Sequence, residues 1–258
     1  MFRENLHTHT CFCDGEDTPR ALVEQALALG FTTLGFSGHS YTSFDPDCCM
    51  SREETLLYRT QVCALAEEYA DKIRILLGIE QDYYADDPAI GYDYIIGSVH
   101  YIEKSGVFVP VDLSPEDFAA NLSRYWGGDA YAMCRDYYAL LAQVAERTGA
   151  DIIGHFDLIT KFNEGGIFFD EQDSRYRHAA ADAADALIST GRLFELNTGA
   201  MARGWRSVPY PSPAWIAYIA AQGGKFLLSS DCHAKAFLDF NFDSLYTEYG
   251  FCLTSFSK

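Results

Sequence analysis

Asn5-Leu-His7-Thr-His9-Thr-Cys-Phe-Cys-Asp14-Gly15 sets two histidines at i, i+2 and follows them with a carboxylate. In an extended strand such positions point to one side, so both imidazoles can face one ion. Zinc and its first-row neighbours take imidazole nitrogen and carboxylate oxygen, and Asp14 in the following turn can reach the same ion or the next. A lone H-x-H is as easily a chance pair on a half-buried strand. Recurrence decides between the two. Short apolar runs ending in a ligand return as Thr33-Leu-Gly-Phe-Ser-Gly-His39, Arg74-Ile-Leu-Leu-Gly-Ile-Glu80, Tyr94-Ile-Ile-Gly-Ser-Val-His100 and Asp151-Ile-Ile-Gly-His155, then as Lys225-Phe-Leu-Leu-Ser-Ser-Asp231-Cys-His233.

With 3–7 and Leu193-Phe-Glu-Leu-Asn197, these runs make seven strands. Helices are expected between them. Thr18-Pro19, Ser114-Pro115 and Ser212-Pro213 read as N-cap and first helical proline, and Ser51-Arg-Glu-Glu54 as a capping box opening a helix to about Tyr69. Further helices are expected over 129–148 and 174–189, with the aromatic tail 237–258 as a short helix or loop over the barrel end. Near-continuous apolar strands alternating with helices argue for a parallel sheet covered by helices. Every candidate ligand sits at the carboxyl end of its strand, and nine converging ligands favour a closed α/β barrel over an open sheet, whose strand ends would lie along a line. No linker divides the chain, so 1–258 reads as a single domain.

The ligand set is His7, His9, Asp14, His39, Glu80, His100, His155, Asp231 and His233. Nine ligands suit two or three ions, with Glu80 the natural bridge because a carboxylate offers two oxygens and an imidazole one nitrogen. Any one of these could instead be a hydrogen-bonded core residue or a loop cap; joint occurrence carries the reading. His178 follows no strand and receives no role. Cys11, Cys13 and Cys232 lie beside candidate ligands, but free cysteine behaves most often as a small buried hydrophobe.

A net charge of -18 speaks against nucleic acid, which needs a basic patch, and no apolar run is long enough to span a membrane. MFRENLHTHT carries no apolar signal region, and eight cysteines without C-x-x-C spacing fit reduced thiols in the cytoplasm.

At the ligand positions the chain resembles the polymerase-and-histidinol-phosphatase (PHP) family of metal-dependent phosphoesterases. The likeness runs through His7-Thr-His9, Cys13-Asp14-Gly15, Gly38-His39-Ser40, Gly78-Ile-Glu80 and Gly97-Ser-Val-His100-Tyr101, then through Gly154-His155-Phe-Asp157, Glu195-Leu-Asn197-Thr198 and Ser230-Asp231-Cys-His233. Within the family it is most similar to the histidinol-phosphate phosphatases, through Asp93 to Ile102 and Asn197-Thr-Gly199 followed by Pro209-Tyr-Pro-Ser212. The resemblance implies a distorted seven-stranded α/β barrel of the PHP type and a trinuclear centre of zinc, manganese or iron. It places His7, His9, Glu80 and Asp231 on one ion, Glu80, His100 and His155 on a second, and Asp14, His39 and His233 on a third. Asp14 stands where some relatives have histidine.

The implied reaction is hydrolysis of L-histidinol phosphate in histidine biosynthesis by attack of a metal-bridging hydroxide, with Glu80 and Asp231 catalytic. Such an ester suits an acidic protein, because it carries an ammonium and an imidazole beside its phosphate. Lys161, Arg203 and Arg206 are the basic residues nearest the strand ends and are expected to hold the phosphate. Tyr41, Phe44, Tyr101 or Trp126 could stack on the imidazole, and Asp45 or Asp47 could pair with the amine. The alternatives are another small phosphate ester or nucleotide as substrate, or a silent metal-binding module; the filled ligand set disfavours the last.

Overall fold

The computed structural model describes residues 3–257. Met1, Phe2 and Lys258, the ends of the expected 1–258 domain, lie outside the described residues. In chain order the strands are β1 (Glu4–Asn5), β2 (Thr33–Phe36), β3 (Arg74–Asp82), β4 (Tyr94–Ser98), β5 (Tyr101–Lys104), β6 (Val107–Pro110), β7 (Ile152–Ile153), β8 (Leu193–Asn197) and β9 (Phe226–Ser229). The helices are α1 (Pro19–Ala28), α2 (Arg52–Glu68), α3 (Pro115–Trp126), α4 (Ala130–Leu141), α5 (Val144–Thr148), α6 (Ser174–Ser189), α7 (Gly199–Ala202), α8 (Pro213–Ala221) and α9 (Phe242–Tyr249). Apart from β5 and β6, the strands form one parallel sheet in the order β1-β2-β3-β4-β7-β8-β9. Edge meets edge where Thr8 bridges Cys232 and the His9 N–H donates to Cys232 O at 3.0 Å, while the Asn5 amide donates to Ser230 Oγ at 2.6 Å. The expected seven-stranded α/β barrel is therefore the observed one.

Alternation along each strand explains what fills the barrel. Inward residues are apolar near the base, where Leu6, Leu76, Tyr94, Ile96, Ile152, Leu227 and Phe256 pack together. Further along the same strand faces they become Glu80 and Asp82 on β3, four and six residues past Leu76, and Ser98 and then His100 on and just past β4, two and four residues past Ile96. The β9 face likewise passes from Leu227 to Ser229 and Asp231. Tyr94 spans the interior: its hydroxyl donates to Leu6 O at 2.5 Å, with Phe36 O 3.1 Å away. Chain 252–256 reaches the barrel base. The Phe226 N–H donates to Cys252 O, Thr254 N–H donates to Phe226 O, and the Phe256 ring meets Tyr94 edge-on at 5.6 Å.

Three of the four expected caps bond through their side chains; Ser212 stands before Pro213 at the start of α8 without a side-chain capping bond. Thr18 accepts from Ala21 N–H, Ser114 from Asp117 N–H, and Ser51 with Glu54 forms the reciprocal box at the start of α2. Ser51→Ala is expected to remove about 1 kcal/mol of stability, read as a lower urea midpoint at unchanged slope.

Two elements differ from expectation. The 129–148 helix breaks into α4 and α5, because α5 turns to lay Val144 and Thr148 over Gly97 of β4, an approach that leaves no room for a β-carbon there. After His100 the chain forms the antiparallel β5–β6 hairpin through a two-residue turn, Ser105-Gly106, with φ of 55° and 77°. Positive φ at both turn residues gives the hairpin its twist, and glycine favours it.

Candidate active site

Parallel strands deliver their carboxyl ends to one rim, and all nine expected ligands meet there. Glu80, 1 % exposed, lies at the centre. Its Oε2 is 3.1 Å from His7 Nε2, 3.4 Å from His9 Nε2 and 3.1 Å from His39 Nδ1. Its Oε1 is 2.9 Å from His155 Nε2, 3.4 Å from His100 Nε2 and 2.6 Å from the Ser98 hydroxyl. Asp231 Oδ1 approaches His9 Nε2 at 3.2 Å and His7 Nε2 at 3.5 Å. Asp231 itself adopts φ 50°, an uncommon left-handed turn for a residue other than glycine, and the chain returns two residues later with His233. Asp14 Oδ2 lies 3.0 Å from His233 Nε2 and 3.7 Å from His39 Nε2.

Several features suit cations. His7 Nε2 and His9 Nε2 face one another at 3.0 Å, an arrangement in which two ring nitrogens converge on one point. Asp14 Oδ1 is buried without a hydrogen-bond partner, its nearest basic atom being His9 Nδ1 at 3.5 Å. Three groups have donor atoms close enough for one ion: His9, Asp14, His39 and His233; His7, His9 and Glu80; and His39, Glu80 and His100. The donor set is imidazole and carboxylate, as first-row divalent ions prefer.

The carboxylates and imidazoles of the cluster set one another's charge. Burial opposes ionisation of Glu80, yet the imidazoles of His7, His39 and His100 hold it well below the usual carboxylate range. Burial likewise opposes charge on His100, but Glu80 and Asp82 lift it to about 10. Burial, followed by His233 and His39, drives His9 down to about 3, leaving it neutral in the middle of the group.

Outer contacts orient the rings. His7 Nδ1 meets Glu195 Oε1 at 2.6 Å, and the other Glu195 oxygen accepts from the His155 backbone N–H and the Asn197 amide. His100 Nδ1 meets Asp82 Oδ2 at 3.1 Å. A carboxylate on one imidazole nitrogen fixes the tautomer that presents the other as a lone pair. Sequence reasoning gave Glu195 and Asp82 no role. Both carried a signal: each is a carboxylate within a buried strand and shares a face, at i, i+2, with another polar residue, Asn197 and Glu80 respectively.

Seven of the nine ligands, all but the buried His7 and His9, line a cavity of about 520 Å³. Lys161 and Arg203 line it; Lys161 Nζ donates to Asp112 O and lies 3.1 Å from Asp112 Oδ2, and the Arg203 guanidinium reaches Asp231 Oδ2 and His233 Nδ1. Arg206 turns away, its guanidinium held by Thr160 O, Glu171 and Glu164 outside the cavity lining. Phe44, Asp45 and Tyr101 line the cavity, whereas Tyr41, Asp47 and Trp126 do not. His178 is exposed on α6. Cys13 Sγ stands 3.6 Å from His9 Nδ1, and burial raises its pKa, so the thiol stays protonated. Among the described residues no helix is long and apolar enough to cross a membrane.

The PHP domain model matches residues 5–199. A Deinococcus radiodurans protein named "Probable histidinol-phosphatase" is 31 % identical over 250 residues, covering 92 % of this chain and 88 % of its own length. A crystal structure from Listeria monocytogenes superposes with TM-score 0.80 at 20 % identity over 93 % of this chain and 99 % of that one. Histidinol phosphate phosphatase of Lactococcus lactis, complexed with zinc, L-histidinol and phosphate, superposes with TM-score 0.70 at 21 % identity, covering 97 % and 95 %. At such identities the two structures speak for the fold.

Proposed function

The chain belongs to the PHP-domain family, and we propose that it is a cytoplasmic, metal-dependent phosphomonoesterase that hydrolyses L-histidinol phosphate to L-histidinol and phosphate, with residues 1–258 acting as one domain. The reaction rests on one observation: four imidazoles and three carboxylates of the ligand set line a cavity that Lys161 and Arg203 also line, with His7 and His9 buried against Glu80 and Asp231. The substrate rests on the likeness to the Deinococcus relative and the name that protein bears. Eight free cysteines fit a reducing compartment.

His7, His9, Glu80 and Asp231 would hold one divalent ion and Glu80, His100 and His155 another, with Asp14, His39 and His233 on a third; zinc, manganese and iron all suit these donors. Such ions lower the pKa of a bound water and neutralise charge on a phosphoryl group. The chain's own residues do the rest. Lys161 and Arg203 hold phosphoryl oxygens, the first as a point charge and the second as a planar fork. Arg203 and Asn197 pin Asp231 Oδ2, so that Oδ1, between His7 and His9, faces the attacking water and accepts its proton. Glu80 spaces the imidazoles on either side of it.

Glu195→Gln keeps the shape of the side chain but removes the charge on His7 Nδ1. It is expected to weaken metal binding roughly 10–100-fold, measured by competition with a chromogenic chelator; unchanged affinity would leave Glu195 a packing residue. The function itself is tested by phosphate release from L-histidinol phosphate, several other monoesters and a diester on metal-reconstituted protein. The expected result is a kcat/KM preference of about 100-fold or more for histidinol phosphate, which corresponds to about 3 kcal/mol of differential binding. Equal rates on all monoesters would sink the substrate assignment and leave the phosphatase chemistry standing.

A further inference from the structure

The cavity is larger than a phosphate needs, and its lining outside the ligand floor is uneven. Phe44, from the loop after β2, and Phe108, from the β5–β6 hairpin, stack with centroids 4.1 Å apart and planes 11° apart. Tyr101 meets Phe44 edge-on at 4.9 Å. These three rings belong to one wall of the cavity. Tyr101 donates its hydroxyl hydrogen to Asp45 Oδ2, which fixes the carboxylate in that wall.

The remaining carboxylates of the lining are already committed. Asp14, Glu80 and Asp231 are in the ligand set, Asp82 accepts from the backbone and ring of His100, and Asp112 pairs with Lys161. Asp45 touches neither a ligand nor a lysine, and its Oδ1 has no hydrogen-bond donor among the described residues. The cavity thus sets two cations, Lys161 and Arg203, and a separate carboxylate framed by aromatic faces within one space. That combination suits a molecule that carries both an anion and a flat cation, because a desolvated cation is attracted both by a carboxylate and by the faces of aromatic rings.

We propose that Asp45, held by Tyr101 and framed by Phe44 and Phe108, is the specificity-determining subsite, which binds the ammonium-bearing imidazole end of the substrate's alcohol. The proposal rests on the phosphomonoesterase reading above and names the residues that select among monoesters. The imidazole lies against the aromatic wall while Asp45 Oδ1 accepts from the ammonium. The hairpin is the element that completes the wall, since Tyr101 and Phe108 sit on its two strands.

The test compares the parent enzyme with Asp45→Asn and Tyr101→Phe, using L-histidinol phosphate and glycerol phosphate as substrates and L-histidinol as an inhibitor of glycerol phosphate hydrolysis. For Asp45→Asn, KM for histidinol phosphate rises about tenfold or more with kcat within about threefold, and the selectivity ratio over glycerol phosphate falls by a similar factor. The inhibition constant of L-histidinol rises in parallel, and Tyr101→Phe gives a smaller shift of the same sign. A fall shared equally by both substrates, or an unmoved ratio in both variants, overturns the subsite. The two readings fail separately. A parent without preference for histidinol phosphate refutes the substrate assignment, whereas the subsite then stands or falls on whether L-histidinol inhibits the parent more strongly than Asp45→Asn.

Discussion

Glu80→Gln is expected to reduce phosphate release by about three powers of ten and to lower the metal content of the purified protein. The carboxylate stands within 3.4 Å of a nitrogen from each of five imidazoles, His7, His9, His39, His100 and His155, and each of its two oxygens serves a different subset. Glutamine preserves the shape but offers one acceptor oxygen and, on the other side, an N–H pointing at ring nitrogens. It also removes the one charge shared by both halves of the cluster. Charge stabilisation by metal in such sites amounts to several kcal/mol, and about 4 kcal/mol corresponds to the rate loss given. Metal analysis and phosphate release on the same preparation check the result, with far-UV circular dichroism confirming the fold. Activity retained in this variant would mean that the nine residues are not the catalytic centre.

Gly78→Ala is expected to destabilise the barrel by about 3 kcal/mol, at the upper end of what added methyl groups cost in packed cores. A β-carbon at Gly78 would lie 2.1 Å from the ring of Tyr94, and one at Gly35 would lie 2.3 Å from its hydroxyl. Tyr94 cannot retreat, because it is fully buried, donates to Leu6 O and packs against the Phe256 ring below it. Since Gly78 precedes Glu80 by two residues on β3, the strain falls one alternation step beneath the central ligand. Thermal or urea melts measure the loss. Gly78→Ala combined with Tyr94→Leu should recover part of it, because the smaller side chain makes room for the methyl group; a stability unchanged in Gly78→Ala would contradict the packing described.

Much of this protein is legible residue by residue. Strand positions follow from short apolar runs, helix starts from Thr18, Ser51 and Ser114 with the proline or glutamate behind them, and the ligands from their place at the strand ends. These signals are local, since capping, side-chain alternation and strand–helix alternation depend on neighbours a few residues apart. Convergence of the nine ligands is also legible, because parallel strands in a closed barrel bring their carboxyl ends together whatever the loops do.

The partners of those ligands are a different matter. Glu195 meets His7 across 188 residues of chain, and Asp45 meets Tyr101 across 56. Arg203 and Arg206 look equivalent in one loop, yet Arg203 turns to Asp231 while Arg206 turns to Thr160 O and Glu171. Gly97 admits α5, so a helix that reads as continuous over 129–148 bends onto the sheet. Each of these depends on which distant side chain occupies a given volume or supplies a hydrogen bond once the barrel has closed, and such contacts leave no periodic trace in the amino-acid order. The residues' chemistry is thus written locally, whereas their orientation, and with it which side chains line the cavity, comes from packing at long range.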